Sequence, residues 1–444
     1  MEQVKKLKVI WLCHFSNPEI RKHYPRKVKR PLYHFMRKLL HLPYKNGAPK
    51  DFAPWVTNGI NELIKRKDVD LHVISPQTDL KRRLFEFELH GVHYYFYNPN
   101  WTLFLMHVVK SNGLWRKLQN SSHYANMFIH RINPDIINLI GAENPYHACT
   151  VLDIKHNAPV MVSLQTIFTN PDRIKYDSNA DKSKNWYIDK LIHEKLSYFG
   201  ATGRMHRDLL LKDNPNAIVF DFNWCSGTMP QVKSENKQFD FVNFAMGQSE
   251  KKGSHDSIKA LSIVKQKYPG VKLNLVGNCD EKTKNELVKL IQQYDLINNV
   301  IFTSFFEKQA DMFQHIQKSR FALLPCKMDI TSGTMLQAMY YELPLVVYKT
   351  CGTPKFNLNK ESALIAPLND VEALAQNMLV LMDNPEKAEE IRRNAKEYIT
   401  EHFDSKKATE KLIADYHAII ANFKYGTPIP EELLFNIDDN PIFE

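Results

Sequence analysis

Residues 325–347 read PCKMDITSGTMLQAMYYELPLVV, and this stretch decides the fold. The apolar run Phe321–Pro325 predicts a buried strand that ends where the stretch begins, and Leu345–Tyr348 predicts another strand. The small residues 331–334 open a predicted helix between them. A strand, a helix and a second strand with short connections are typical of a parallel sheet covered by helices.

The start of this predicted helix suits an anion. Residues 331–334 place small side chains and backbone N–H groups at the helix N-terminus, where negative charge is stabilised. Asp329 lies just before it, where a carboxylate can accept hydrogen bonds from sugar hydroxyls, and Gln337 lies about two turns further on, within reach of a ribose. The alternative for Asp329 is a loop residue or a helix cap.

The same alternation of strands and helices extends through both halves of the chain. The predicted strands are Val9–Phe15, Leu71–Ser75, Val92–Tyr97, Asp135–Ile140, Val160–Leu164 and Ala217–Phe222, then Phe241–Met246, Lys272–Val276 and Val300–Phe302. The stretch 224–237 between the two sets reads as a linker. The pattern predicts two doubly wound α/β domains that meet near residue 230, with ligands at the carboxyl ends of the strands in the cleft between them.

Composition excludes several classes of protein. The 444 residues are 43% hydrophobic and 24% charged, which is ordinary globular usage. The 15 glycines form neither a G-x-G-x-x-G nor a P-loop motif, which argues against dinucleotide and P-loop sites of those types. The six cysteines form no C-x-x-C pair and predict reduced thiols. Apolar runs are too short for a signal peptide or a membrane span, so we expect a cytoplasmic protein, or one bound to the inner face of the cell membrane.

The net charge of +10 is concentrated near the N-terminus. Residues 21–50 hold ten lysines and arginines, no acidic residue, and several aromatic and aliphatic side chains. An anionic membrane surface and a solvated basic loop both fit this segment, and nucleic acid is a third alternative.

Two further motifs follow predicted strands of the second half. Met246–Gly253 carries Gly247, Lys251 and Lys252, and a lysine at this point can hold a phosphate. The alternative for Lys252 is a solvated surface residue. Gly277 follows the next strand, where a glycine lets the backbone approach a ligand closely.

These motifs, in this order, resemble those of the retaining GT-B glycosyltransferases of family 4, also called glycosyl transferases group 1. The family patterns G-R-x-x-x-x-K-G, V-G-x-G and P-S-x-x-E-G-F-G-x-x-x-x-E-A-M-A-x-G-x-P-V-V correspond to Met246–Gly253, Val276–Cys279 and Pro325–Val347. The resemblance is specific from about 241 to 420 and weaker in the first half. It implies two Rossmann-like domains around a nucleotide-sugar cleft, a UDP- or GDP-linked donor as substrate, no cofactor and no required metal.

The chain departs from the family pattern at three points. The E-x7-E pair becomes Asp329 and Gln337, the arginine five residues before the lysine of the family pattern becomes Gly247, and a histidine often found after the 160–164 strand becomes Gln165. The resemblance leaves Lys252 and the 331–334 helix start to stabilise the departing diphosphate.

The resemblance also assigns roles to residues of both halves. The predicted catalytic residues are Lys252, Asp329 and Gln165. The predicted donor-binding residues are Gly247, Lys251, Gly277, Thr331, Ser332, Gly333, Thr334, Gln337 and Arg204. The predicted acceptor-binding residues are His14, Ser16, Glu143 and Asn144. The predicted domains are 1–228 for the acceptor, 229–415 for the nucleotide-sugar, and a C-terminal helix and tail, 416–444, that crosses back to the first domain.

The predicted function is transfer of a sugar from a nucleotide-sugar to a hydroxyl of a glycan or a lipid-linked saccharide, with retention, in surface polysaccharide or lipopolysaccharide synthesis. Segment 21–50 would then face an anionic membrane, and no nucleic acid is expected as a partner. One alternative is a non-catalytic GT-B protein that binds sugar or nucleic acid. Another is a different GT-B enzyme, such as a nucleotide-sugar epimerase or a phosphorylase.

Overall fold

A computed structural model describes residues 5–27, 51, 53–100, 113–154, 156–170, 184–227, 229–306, 308–327, 332–350 and 352–437. Most of the basic segment, residues 28–50, lies outside this range, as do Asp329 and Thr331.

The first half folds around one eight-stranded sheet. Its strands are Leu7–Leu12 (β1), Val69–Pro76 (β2), Leu84–Leu89 (β3), Val92–Tyr97 (β4), Ile136–Ile140 (β5), Val160–Ser163 (β6), Tyr198–Ala201 (β7) and Ile218–Asp221 (β8). The order is β3-β4-β2-β1-β5-β6-β7-β8, and every neighbouring pair is parallel except β3 and β4. Its helices are Ile20–His23 (α1), Pro54–Leu63 (α2), Gly113–Ile132 (α3), Pro145–Ala148 (α4), Lys184–Lys195 (α5) and Arg204–Asp213 (α6).

The second half folds around a parallel six-stranded sheet. Its strands are Phe239–Gly247 (β9), Leu273–Asn278 (β10), Val300–Thr303 (β11), Ser319–Leu323 (β12), Leu345–Tyr348 (β13) and Leu364–Ala366 (β14), in the order β11-β10-β9-β12-β13-β14. Its helices are Ser254–Lys267 (α7), Glu281–Gln293 (α8), Gln309–Ile316 (α9), Gly333–Tyr340 (α10), Val371–Asp383 (α11) and Pro385–His402 (α12). The two predicted parallel α/β sheets are therefore confirmed.

Both sheets are buried on both faces because consecutive apolar side chains point to opposite sides of a strand. In β1, Val9 and Trp11 belong to one core, and Ile10 and Leu12 belong to the core on the other face. This explains why the strands read as continuous apolar runs.

Strand β3 was not expected from the sequence. Leu84–Leu89 reads LFEFEL, alternating apolar and acidic, and it pairs antiparallel with β4 at the edge of the sheet. The turn between them uses His90 and Gly91, both at positive φ. Alternating apolar and polar residues next to such a turn indicate a β-hairpin, a pattern different from the strand-helix-strand units of a parallel sheet.

The last long helix, Ser405–Tyr425 (α13), packs against the first domain. Leu412, Ile413, Tyr416 and Ile419 lie in the same core as β1. The return to the first domain thus begins before residue 416, the boundary predicted from the sequence. The fully buried Tyr416 hydroxyl accepts hydrogen bonds from Trp11 Nε1 at 3.0 Å and from Asn138 Nδ2 at 2.6 Å.

Tyr416→Phe is expected to destabilise the protein by about 2–3 kcal/mol, because it leaves the buried donors of Trp11 and Asn138 without their shared acceptor. Urea unfolding followed by circular dichroism measures the change. Tyr425→Phe is the matched control, because Tyr425 lies on the same helix and is 81% exposed. Equal stabilities of the two variants would contradict the prediction.

Asp415, on the same helix, is expected to make stability depend on pH. Burial raises its pKa to about 8, Asp221 adds to the rise, and Lys411 opposes it. The folded state therefore keeps a proton that the unfolded state loses near pH 4, so stability falls as pH rises from about 4 to 8 and then levels off. We expect Asp415→Asn to reduce this slope, which is at most about 1.4 kcal/mol per pH unit. Unfolding at pH 5, 6, 7 and 8 measures it, and an unchanged slope would refute the assignment.

Candidate functional site

The predicted donor residues of the second domain collect at one edge of its sheet. Gly247 ends β9 and is paired with Asn278 at the end of β10, and the backbone N–H of Gln248 donates to Asn278 O at 2.7 Å. The segment after β12 joins them, since the backbone N–H of Lys327 donates to Lys251 O at 3.0 Å. The carboxyl ends of three neighbouring strands therefore meet there.

Two glycines make this convergence possible. Gly277 has φ +133°, and a Cβ there would overlap the carbonyl oxygen of Ala245 on β9. Gly253 has φ +76°, and a Cβ there would overlap the carbonyl oxygen of Pro325. A glycine is therefore required at position 277 by the close approach of the β9 backbone, independently of any ligand.

The loop that carries Lys251 and Lys252 is held in place by the buried side-chain amide of Gln248. The Gln248 side chain is 4% exposed, donates to Val276 O at 2.8 Å and accepts from Ser254 Oγ. The short 3-10 turn Glu250–Lys252 follows, in which Lys251 is exposed and Lys252 is half-buried. The predicted phosphate-binding lysines are therefore held on an ordered turn.

An ion pair beneath this edge was not predicted from the sequence. Lys327 Nζ lies 2.9 Å from Asp256 Oδ2, and their side chains are 6% and 5% exposed. The Tyr348 hydroxyl donates to the same carboxylate oxygen at 3.0 Å. The sequence feature that could have indicated this pair is Asp256 in the first turn of α7, where the helix dipole also stabilises a carboxylate.

The start of α10 lies at the same end of the sheet. Ser332 is its N-cap residue, and the Ser332 and Thr334 hydroxyl oxygens are 2.8 Å apart. Gly333 is exposed at the first helical position, and Gln337 is half-buried one turn further on. Asp329 and Thr331 lie outside the described residues, so their roles stay predictions.

The predicted residues of the first domain lie at the carboxyl ends of β1, β5 and β6. His14, Glu143, Asn144 and Gln165 line one cavity of about 820 Å³, together with Trp55, which the sequence analysis missed. Ser16 is not among the described residues that line it, and its hydroxyl accepts from Arg21 Nη1 at 3.0 Å.

Asn144 determines which ring nitrogen of His14 carries the proton. Its Oδ1 caps α4 by accepting from the Tyr146 backbone N–H at 3.1 Å, so its amide nitrogen faces His14 Nδ1 at 2.9 Å. His14 Nδ1 is therefore an acceptor, and the neutral ring carries its proton on Nε2. Burial lowers the pKa of His14, against an opposing effect of Asp79.

Glu143 and Gln165 form a second polar pair in the cavity. With its amide oxygen toward Trp55, Gln165 accepts from Trp55 Nε1 at 3.0 Å and donates to Glu143 Oε1 at 2.9 Å. The wall behind them includes His147, whose pKa burial lowers to about 3 and whose Nε2 donates to Ile140 O at 3.1 Å. Among the described residues that line it, the cavity thus presents one carboxylate, several amides and uncharged imidazoles.

The ion pair described for Arg204 lies within its own helix, α6. Arg204 begins α6, is half-buried, and its Nε is 3.6 Å from Asp208 Oδ2 on the same helix. Its proposed phosphate contact stays a prediction.

No helix among the described residues is long and apolar enough to cross a membrane. Within the same residues, no group of three or more histidines, cysteines, aspartates or glutamates is arranged to hold a metal ion.

Comparisons with known proteins identify the second domain. Residues 228–398 match the family model described as "Glycosyl transferases group 1". The glycogen synthase of Mycobacterium tuberculosis is 24% identical over 154 residues, which cover 34% of this chain and 36% of the relative. The match thus spans about a third of the length of that curated relative.

Solved structures resemble the whole architecture. Sucrose-phosphate synthase from Thermosynechococcus elongatus is 12% identical, with a TM-score of 0.63 over 94% of this chain and 100% of that chain. HepE from Anabaena, solved with UDP and glucose, is 15% identical, with a TM-score of 0.61 over 92% of this chain and 98% of that chain. The predicted GT-B fold is confirmed, and the second domain is that of a glycosyltransferase.

Lys327→Met is expected to destabilise the protein by about 3–5 kcal/mol, because it removes the buried cation that lies 2.9 Å from the Asp256 carboxylate. The double variant Lys327→Met/Asp256→Asn should recover part of this loss. Lys259→Met is the matched control, since Lys259 Nζ is 3.9 Å from Asp256 Oδ1 and its side chain is 42% exposed. Urea unfolding compares the three variants, and equal effects of the two lysine substitutions would refute the role of the buried pair.

Proposed function

We propose that this chain transfers a sugar from a nucleotide-sugar donor to a hydroxyl of a glycan or of a lipid-linked saccharide, with retention of anomeric configuration. The observation that carries the proposal is the match of residues 228–398 to group 1 glycosyl transferases. It is supported by the position of Gly247, Lys251 and Lys252, which lie next to the carboxyl ends of β10 and β12. Uridine diphosphate is the first donor nucleotide to test, because the similar structure from Anabaena was solved with UDP and glucose.

The proposed chemistry needs no nucleophile from the protein. The bond between the sugar C1 and the diphosphate oxygen breaks, and the acceptor oxygen bonds to C1 on the same face. The acceptor proton passes to the departing diphosphate oxygen, so that no proton or charge is left over. A binding edge that stabilises negative charge on the diphosphate lowers the barrier to this step.

The second domain supplies that stabilisation from its own residues. Lys252 on its fixed turn and the start of α10 are the proposed partners of the diphosphate. Gly247 stands where the resembling family has an arginine, so the positive charge comes from the lysines of the 250–252 turn. Asp329 is proposed to position the donor sugar, and Gln337 to hold the ribose.

The first domain is proposed to hold the acceptor. The carboxylate of Glu143 and the amides of Asn144 and Gln165 lie in one cavity, where they can bind hydroxyl groups. His14 carries its proton on Nε2 and therefore donates a hydrogen bond there instead of accepting a proton. We further propose that basic segment 21–50 contacts an anionic membrane and that the acceptor belongs to surface polysaccharide or lipopolysaccharide synthesis.

A nucleotide panel with Lys252→Ala tests the donor site. Added at 100 times its dissociation constant, the correct nucleotide should stabilise the folded protein by about 2.7 kcal/mol, seen as a higher melting temperature. We expect this shift with UDP among UDP, GDP, ADP and CMP, and we expect Lys252→Ala to lose it.

Lys406→Ala is the matched control, because it removes one positive charge from a side chain that is 81% exposed. It should keep the shift. No shift with any nucleotide would reject the donor site and support a non-catalytic protein. Transfer with a labelled nucleotide-sugar, followed by NMR of the product's anomeric proton, then tests retention.

A further inference from the structure

A second basic stretch joins the beginning of the N-terminal one at the end of β2. Residues 77–83, which lead from β2 to β3, read QTDLKRR, and residues 20–27 read IRKHYPRK. The two segments pair through their backbones: the Lys81 N–H donates to Pro25 O at 2.9 Å, and the residues next to these two form an antiparallel bridge. Tertiary structure thus brings together two groups of basic residues that lie far apart in the chain.

The paired segments are strongly basic. They contain seven lysines and arginines and one acidic residue, Asp79. The Asp79 side chain is 15% exposed, its Oδ2 accepts from Arg26 Nε at 2.7 Å, and its Oδ1 lies 3.2 Å from the Tyr24 hydroxyl. Six of the seven basic residues are exposed, and we call them the basic rim: Lys22, Arg26, Lys27, Lys81, Arg82 and Arg83.

Two arginines of the basic rim are supported by aromatic rings. Arg82 Cζ lies 5.9 Å from the centre of the Phe85 ring, and Arg83 Cζ lies 5.8 Å from that of Tyr124. Such contacts hold a guanidinium through its flat face, while its N–H groups lie in the plane and suit phosphate oxygens. The geometry therefore fits a partner that presents phosphate groups.

The basic rim adjoins the first-domain cavity. Pro76 and Thr78, which precede the basic residues of the loop, line this cavity. Because an extended chain spans at most about 3.6 Å per residue, the Cα atoms of Lys81 and Thr78 are at most about 11 Å apart. A surface that binds the basic rim therefore comes close to the cavity proposed for the acceptor.

We infer that the basic rim binds an anionic lipid surface and so brings the acceptor cavity to the membrane. The inference deepens the proposed function and rests on it, because it takes the cavity as the acceptor site. It adds the loop residues 81–83 to the membrane contact proposed for segment 21–50. Exposed cations from two segments suit a surface of many anionic headgroups, since each basic residue near such a surface strengthens binding. A saccharide carried by a lipid of that surface can then enter the cavity without leaving the membrane.

Vesicle binding by the whole chain tests the inference. Sedimentation compares vesicles of phosphatidylcholine with vesicles of an equimolar mixture of phosphatidylcholine and phosphatidylglycerol, and we expect binding to the mixed vesicles. Lys81→Gln/Arg82→Gln/Arg83→Gln should weaken this binding about a hundredfold, because each basic residue near an anionic surface contributes about fivefold. Unchanged binding by this variant overturns the inference and leaves the contact of segment 21–50 standing. Failure of the unchanged protein to prefer the mixed vesicles overturns both.

A second triple variant separates the basic rim from net charge. Lys267→Gln/Lys360→Gln/Lys406→Gln also removes three positive charges, from side chains that are 57%, 54% and 81% exposed. It should bind the mixed vesicles like the unchanged protein. If both triple variants weaken binding equally, the effect belongs to the charge of the whole chain and the inference fails.

Hydrogen exchange of the unchanged protein locates the contact without any substitution. Mixed vesicles should slow the exchange of backbone amides in residues 77–83, and vesicles of phosphatidylcholine should not. Equal exchange with the two kinds of vesicle overturns the inference, whatever the stability of the variants.

A titration with RNA of mixed sequence tests the alternative partner, because nucleic acid presents phosphate groups as well. If the rim substitutions abolish RNA binding and leave vesicle binding unchanged, the basic rim binds nucleic acid and the inference fails. None of these measurements needs a donor. If no nucleotide raises the melting temperature, the proposed transferase function fails while the vesicles still decide the role of the basic rim. If a nucleotide binds and the vesicles do not, the inference fails and the donor site stands.

Discussion

The buried contact of Lys327 with Asp256 is the interaction on which the arrangement at the carboxyl ends of β9, β10 and β12 depends. It joins the segment after β12 to the first turn of α7, and the Tyr348 hydroxyl ties β13 to the same carboxylate. Because the Lys327 backbone also bonds to Lys251, the pair fixes the turn that carries the proposed phosphate-binding lysines. A charge removed from water this completely requires its partner, so the three elements must come together in one arrangement.

The two domains present opposite chemistry at the carboxyl ends of their strands. The second domain offers lysines on a fixed turn and the start of a helix, which favour a diphosphate. The first offers a carboxylate, oriented amides and neutral imidazoles, which favour hydroxyls. In the proposed function, the diphosphate of the donor therefore binds at the second domain and the hydroxyls of the acceptor bind in the first.

Asp221 connects the two domains through charge. It ends β8 of the first sheet, and its carboxylate lies 3.6 Å from Lys355 Nζ in the second domain and 2.9 Å from Lys411 Nζ on α13. Burial alone would raise the pKa of Asp221, but the two lysines outweigh it and the pKa lies below its ordinary value. Together with Tyr416, this contact secures the crossing of α13 from the second domain to the core of the first.

The sequence by itself determined the two parallel sheets, because their strands are continuous apolar runs that alternate with helical patterns. The family resemblance singled out His14, Glu143, Asn144 and Gln165, and these four line one cavity, while Ser16, chosen with them, is not among the described residues that line it. Their roles stay predictions. Tertiary structure alone decided the rest. Trp55 enters the cavity from the start of α2, Lys327 finds its partner 71 positions earlier in the chain (Asp256), and Tyr416 reaches Trp11 across 405 residues. Such contacts depend on how the elements pack, and no local pattern of side chains encodes them.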